Sequence, residues 1–209
     1  MALGDPYADL GDLKTYLKIQ PADTKYDAAL TDALNSASSE IERHTGRQFN
    51  LAASATPRVY EPEQDWMTVR TDDFATLSTL VVQVSPDNSG NFTQTLTSSQ
   101  YEAYPYNGVV DGQPGWPYYR LRSTGGAWFP RLPLARRASV QVTAQWGWPT
   151  VPAPIKQSCM IIAAQTYRLA DAPWGVAGMT EFGTAVRIRD IPMVREKLRP
   201  FVKYPVLGG

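Results

Sequence analysis

Cysteine and histidine each occur once in 209 residues, as Cys159 and His44. A single thiol excludes an internal disulfide framework, and with one imidazole beside it most zinc sites are excluded too. The scarcity fits a reducing compartment. Net charge is also missing, because 20 basic and 20 acidic residues cancel. Free DNA as a main ligand needs clustered Lys and Arg, so the balance argues against it. No apolar run approaches the ~20 residues that span a bilayer. The opening "MALGDPYADL" lacks the basic and apolar regions of a secretory signal. There is no Gly-x-Ser-x-Gly, no Cys-x-x-Cys, no phosphate-cradling glycine motif, no internal repeat and no low-complexity tract. What remains is 43% hydrophobic and 19% charged, the balance of a folded core. The expectation is a soluble intracellular chain, one generous domain or a domain with a large insertion.

Helical spacing appears first in "DLGDLKTYLKI", where Leu10, Leu13 and Leu17 recur, with Asp9 as N-cap and Asp12 in the first turn. So short a helix is marginal alone and must dock. "TKYD" (24–27) reads as a capping box for a second helix, whose face is Tyr26, Leu30, Leu34, Ala37 and Ile41. Gly46 stops it in the left-handed conformation at C′. From about residue 51 to 148, Thr, Val, Tyr, Gly and Pro dominate instead. Strands are expected at "RVYEP", "WMTVRT", "LSTLVVQVS", "QYEAYPY", "YYRLRS" and "ASVQVTAQW", with turns at "PDNSGN", "NGVVDGQPG" and "STGG". In "SVQVTAQW", Val140, Val142 and Ala144 alternate with polar residues, the pattern of a half-buried antiparallel strand. A third helix follows Pro152 and Pro154, with Ile155, Cys159, Ile162, Ala163, Thr166 and Leu169 on one face. "GVAGMTEFGTAV" (175–186) reads as a glycine-rich mobile loop. "DIPMVREKLRPF" (190–201) reads as a short helix capped by Asp190 and ended by Pro200.

The fold class expected is α+β, a helical bundle of about four helices with a β-barrel or sandwich-like insertion between the second and third. Residues 1–50 and 146–209 would form the helical body, and 51–145 the β-rich insertion.

Candidate sites are few. His44 stands in the last turn before the Thr-Gly stop of "SSEIERHTGRQF" (38–49), where the helix dipole favours an imidazolium. Catalysis or metal binding there needs further acids or ligands, and only Glu40 lies at useful spacing, so a structural role is expected. Arg47 is placed to pair with an acid, and Phe49 to fold back on the helix end. Cys159 reads as a buried inert thiol. Glu61, Glu63 and Asp65 form a loose acidic cluster, either a carboxylate pair or a solvated turn. Trp116, Trp128, Trp146 and Trp148, with their tyrosine neighbours, could stack on a sugar or base. Alternatively Trp146 and Trp148 seal the junction between β unit and helices, while the others fill cores or interfaces. Arg187, Arg189, Arg195, Lys197, Arg199 and Lys203 form a basic excess near the C-terminus, either a docking arm for an acidic surface or a solvated face. No catalytic, cofactor or metal site is expected, and no enzyme.

Four segments in order, "DLKTYLKI", "DAALTDALNSASSEIERHTGRQF", "WGWPTVPAPIKQSCMIIAAQTYR" and "DIPMVREKLRPF", resemble the head–tail connector (adaptor) proteins of tailed bacteriophages. The resemblance covers roughly the first quarter and the last third of the chain. It implies a helical body that assembles into a ring, typically of twelve subunits, beneath the portal, widening the DNA channel toward the tail. The implied partners are further copies of the chain, the portal protein and a downstream head-completion or tail protein. DNA would pass without specific binding, no membrane would be involved, and the location would be the virion, with host cytoplasm during assembly. By that analogy residues 184–204 would engage the portal. A carbohydrate-binding or host-recognition module built on the tryptophan-rich region is the alternative.

Overall fold

The computed structural model describes residues 4–87, 89–124, 126, 128–130, 138–171 (backbone alone for 169–171) and 191–203. Two compact units emerge, Leu3–Phe49 with Val151–Gly209, and Asn50–Thr150. The glycine-rich stretch 175–186, Asp190, Arg187 and Arg189 lie outside the described residues, as does the side chain of Leu169.

The first unit is helical: α1 (Leu10–Leu17), α2 (Asp27–Thr45), α3 (Ala153–Asp171) and α4 (Pro192–Leu198), with a 3-10 turn at Arg199–Phe201. Tyr26 meets Tyr167 edge-on at 6.0 Å, and Ser38 Oγ lies 3.4 Å from Cys159 Sγ, so α2 and α3 run antiparallel. Between them Leu30, Leu34, Ala37, Ile41, Ile155, Cys159, Ile162 and Ala163 are buried. Each buried Leu or Ile contributes ~1.5–3 kcal/mol, enough to hold short helices whose nuclei are costly.

Helix starts differ from the sequence reading. Asp9 is the N-cap of α1, yet its side chain makes no cap bond and instead faces Lys156 at 3.7 Å. The capping box of Thr24 and Asp27 does not form: α2 begins at Asp27 with Tyr26 as N-cap. The reason is a competing ion. Lys14 is buried and its ammonium lies 2.5 Å from Asp27 Oδ1, which binds α1 to the root of α2. Pro200 does not end α4 by itself, because Leu198 is the last α-helical residue and Pro200 sits inside the 3-10 turn.

The second unit contains nine antiparallel strands among the described residues: β1 (Thr56–Tyr60), β2 (Thr68–Phe74), β3 (Val81–Val84), β4 (Gln94–Leu96), β5 (Tyr101–Tyr104), β6 (Val109–Val110), β7 (Gln113–Pro114), β8 (Tyr118–Ser123) and β9 (Val140–Ala144). They pair as β1-β9-β3-β4, β2-β8-β5 and a small β6-β7 hairpin. One apolar cluster draws on both larger sheets: Val82, Val84, Leu96, Val140, Val142 and Ala144 from the first, Val69, Phe74 and Leu121 from the second. β9 alternates as expected, with Val140, Val142 and Ala144 inward. The short strands β4, β6 and β7 were not expected from sequence, and β2 extends past Thr71 to Phe74.

Trp146, Gly147 and Trp148 belong to the β unit, so its boundary falls at Thr150 and not before Trp146. The physical reason is their bonding. Trp146 O accepts the Ala52 N–H at 2.8 Å, and Gly147 N–H donates to Asp73 O at 2.7 Å. Gly147 has φ +103°, and a Cβ there would sit 1.7 Å from Asn50 O. Only glycine fits.

Candidate functional site

The end of α2 is where separated parts of the helical unit meet. Gly46 takes φ +66°, and its N–H donates to Glu42 O at 2.8 Å, turning the chain out of the helix. His44 lies half-buried in the last turn with exposed Arg43. Beyond the stop, Arg47 Nε donates to Phe201 O at 2.9 Å, and Lys203 N–H donates to Thr45 O at 2.7 Å. Phe49 is fully buried and packs edge-on against Phe201 at 5.8 Å and Tyr7 at 5.5 Å. A helix end thus becomes a clasp for both chain ends.

Tyr7 was not singled out by sequence, yet it organises the clasp. Its hydroxyl donates to Glu42 Oε1 at 2.6 Å and accepts the Phe49 N–H at 3.1 Å. Its own N–H donates to Ser38 Oγ at 3.0 Å. Burial drives the phenol pKa far above its usual value, and donation to Glu42 adds to the rise, so the hydroxyl keeps its proton. A lone aromatic between Pro6 and Ala8 carries no helical period, so the sequence gives no signal for this role. Cys159 lies in the same layer. Burial pushes its thiol up, which fits an inert packing group.

The described basic positions differ in exposure and in their partners. Arg195 and Arg199 are exposed on α4 and the turn after it, with Arg199 lying 3.8 Å from Glu196. Lys197 is half-buried and its ammonium donates to Gln157 Oε1 at 3.0 Å. The segment is rooted by Val194, Leu198 and Phe201, all buried. Residues 191–203 are therefore packed helical body that carries cationic side chains on its outer side.

In the β unit, Trp146 and Trp148 are buried structural residues. Trp146 Nε1 donates to Thr56 O at 2.8 Å, while the Arg58 guanidinium lies 4.6 Å from its ring centre. Trp148 Nε1 donates to Asp73 Oδ2 at 3.0 Å. Trp116 packs on Trp148 at 5.0 Å and is only partly available for stacking. Trp128 is exposed. The acids separate: Glu63 pairs with Arg70, and Asp65 caps its own turn, accepting from the amides of Met67 and Thr68. This is a satisfied turn, not a carboxylate pair facing across a cleft. Among the described residues no group of three or more His, Cys, Asp or Glu side chains could hold a metal ion, and no helix is long and apolar enough to cross a membrane.

No protein-family model and no curated protein matches the sequence. Among solved structures, the fold is similar to a chain in the neck of an empty GTA particle computed with C6 symmetry. The match covers 100% of this chain and 96% of that one, with a TM-score of 0.58 at 19% identity. At that identity the similarity speaks for the fold: an α+β chain with both units represented end to end.

Proposed function

We propose that this chain is a structural component of the neck of a tailed phage or phage-like particle, a ring-forming adaptor that docks on the portal and extends the DNA channel toward the tail. The observation that carries the reading is the full-length fold match to a particle neck. It agrees with the independent resemblance of four ordered sequence segments to head–tail connectors. Ring assembly is supported by the symmetry of the matched assembly, whose sixfold axis admits the twelve copies that the resemblance implies. The chain would act in the virion, with no enzymatic role and no cofactor, and DNA would slide past a protein of zero net charge.

Portal engagement is assigned to the C-terminal region carrying Arg187, Arg189, Arg195, Lys197, Arg199 and Lys203. Its described part has a firm root, because Lys203 and Phe201 are bonded to the α2 stop. A rooted segment presents its cations at lower ordering cost than a loose tail. The test is to mix the chain with its portal protein and image the product by electron microscopy. Rings seated on the portal are expected. Absence of binding under low and physiological salt would remove the proposal. Charge reversal at Arg195 and Arg199 should slow association most at low salt, as expected when cations steer the encounter.

A further inference from the structure

The outer face of the β2-β8-β5 sheet gathers arginines. Val69, Leu121 and Ala103 form one register row, and that row packs in the apolar cluster. The rows on either side of it therefore point away from the core. In one, Arg70 stands opposite Arg120, and Arg120 opposite Tyr104; in the other, Thr68, Arg122 and Glu102 align. Like charges directly opposite on adjoining strands destabilise a sheet. Arg70 is answered by Glu63. Arg120 and Arg122 are not answered: neither forms an ion pair or a hydrogen bond with a described residue. Every Asp and Glu of the β unit is among the described residues. An arginine that needs only water gains nothing from standing opposite another arginine.

The nearby acids are turned elsewhere. Glu102 faces Arg122 across the ladder, yet its Oε2 accepts from the Tyr106 hydroxyl at 2.8 Å and the Tyr104 hydroxyl at 3.3 Å. Asp65 spends both oxygens on the turn that strains Trp66 to φ +58°, accepting from the Met67 and Thr68 amides and the Thr68 hydroxyl. The Arg122 charge reaches Asp65 without an ion pair. Arg120 is half-buried, and its guanidinium is held 4.4 Å from the Tyr104 ring centre by a cation–π contact. The sequence shows the same bias. Residues 112–150 hold five arginines and neither Asp nor Glu, with Arg131, Arg136 and Arg137 outside the described residues.

We propose that Arg120 and Arg122 form a docking site for an acidic protein segment that presents carboxylates in step with β8. Two residues apart on one strand, the roots of their side chains are about 6.6 Å apart. Alternate side chains of an extended peptide repeat at that spacing, and each guanidinium fork matches a carboxylate. Carboxylates fit better than phosphates. A nucleic-acid strand would lay continuous charge against Glu102 and Glu63 on the same surface, where it would be repelled. An acidic segment places its few charges at the two arginines alone. Tyr104 already holds one guanidinium, so less freedom is lost on docking. The site belongs to the β unit, apart from the C-terminal cations assigned to the portal, and it does not rest on the neck reading.

The test titrates the full chain into a fluorescein-labelled peptide of alternating Glu and Thr and reads anisotropy at physiological salt. A Gln–Thr counterpart and labelled oligothymidylate probe charge and phosphate. The variants are Arg120→Gln/Arg122→Gln and, as control, Lys18→Gln/Arg43→Gln, which removes the same charge from exposed positions of the helical unit. The Glu–Thr peptide should bind wild type and control alike, and the Gln–Thr peptide neither. The Arg120→Gln/Arg122→Gln variant should bind the Glu–Thr peptide about 100-fold more weakly, tenfold for each arginine. Its urea midpoint should stay near that of wild type, because the substitutions lie on the surface and relieve the opposition to Arg70. Peptide binding that this variant retains, or that wild type lacks, overturns the proposal and leaves the neck reading standing. Oligothymidylate bound in preference, and lost in the variant, would assign the face to nucleic acid instead. Self-association of wild type in sedimentation velocity, lost in the variant and without peptide binding, would assign it to a second copy.

Discussion

The two units close their cores by different means. In the β unit, β9 is paired along its length with β1 on one side and β3 on the other. Every residue of such a strand is held by a ladder, and loss of one side chain leaves many bonds in place. In the helical unit, the clasp at the α2 stop joins Tyr7, Phe49 and Phe201, which are far apart in sequence, through three rings and a few hydrogen bonds. Fewer contacts carry the closure, and each matters more. Redundancy in one unit and concentration in the other is the contrast to test.

The largest effect is expected where the β unit has no redundancy. Gly147→Ala would place a Cβ against the Asn50 carbonyl in a backbone that alanine resists, so a loss beyond about 5 kcal/mol is expected. Urea unfolding monitored by tryptophan fluorescence would read it, and a near-normal midpoint would show that the Asn50 turn yields. In the clasp, Phe49→Ala should cost about 3–5 kcal/mol by removing a fully buried ring. Amide exchange would then show faster opening of α4 and the α2 end, with β9 little changed. Equal loosening of β9 would break the contrast between the units.

Tyr7→Phe keeps the ring and deletes the hydroxyl that serves Glu42 and the Phe49 N–H. About 1–3 kcal/mol is expected from a buried amide left without its acceptor. Thermal unfolding of the two proteins measures it, and no difference would mean that water replaces the hydroxyl. The smallest effect lies in the exposed turn of the β unit. Burial pushes the Asp65 carboxyl up, but the Thr68 hydroxyl and the Met67 and Thr68 amides outweigh it and hold the pKa low. A depressed folded pKa stabilises above the unfolded value of about 3.9 and is lost as pH falls through the folded value. Asp65→Ala should therefore cost less than about 1 kcal/mol at pH 7, where solvent screens the carboxylate, and nothing further once the wild-type group is protonated. Paired urea titrations at pH 7 and below pH 3 compare the two.

Legibility in the sequence followed periodicity and backbone demand. The α2 stop could be read because Thr-Gly after an apolar stripe asks for a left-handed residue, and Gly46 supplies it. β9 could be read because its alternation is strict. β4 could not, since Gln94–Leu96 is mostly polar and becomes a strand only by pairing Leu96 with Val82. The α2 start was misplaced because Asp27 answers a buried lysine from α1, a tertiary choice that overrides the local capping pattern. At the clasp, Arg47 and Phe49 were visible beside the stop, while Tyr7 had neither period nor motif to mark it. The strain at Trp66 was equally invisible, because nothing in "EQDWMT" announces a positive φ.

The bond from Lys203 N–H to Thr45 O sets where mechanical load enters the helical unit. A pull on the backbone at Lys203 is handed directly to the last turn of α2. From there it spreads through Arg47 and the edge-on rings of Phe201 and Phe49 to Tyr7, without first having to peel α4 from its seat. Tension at the tail end is thereby shared with the head end of the same polypeptide.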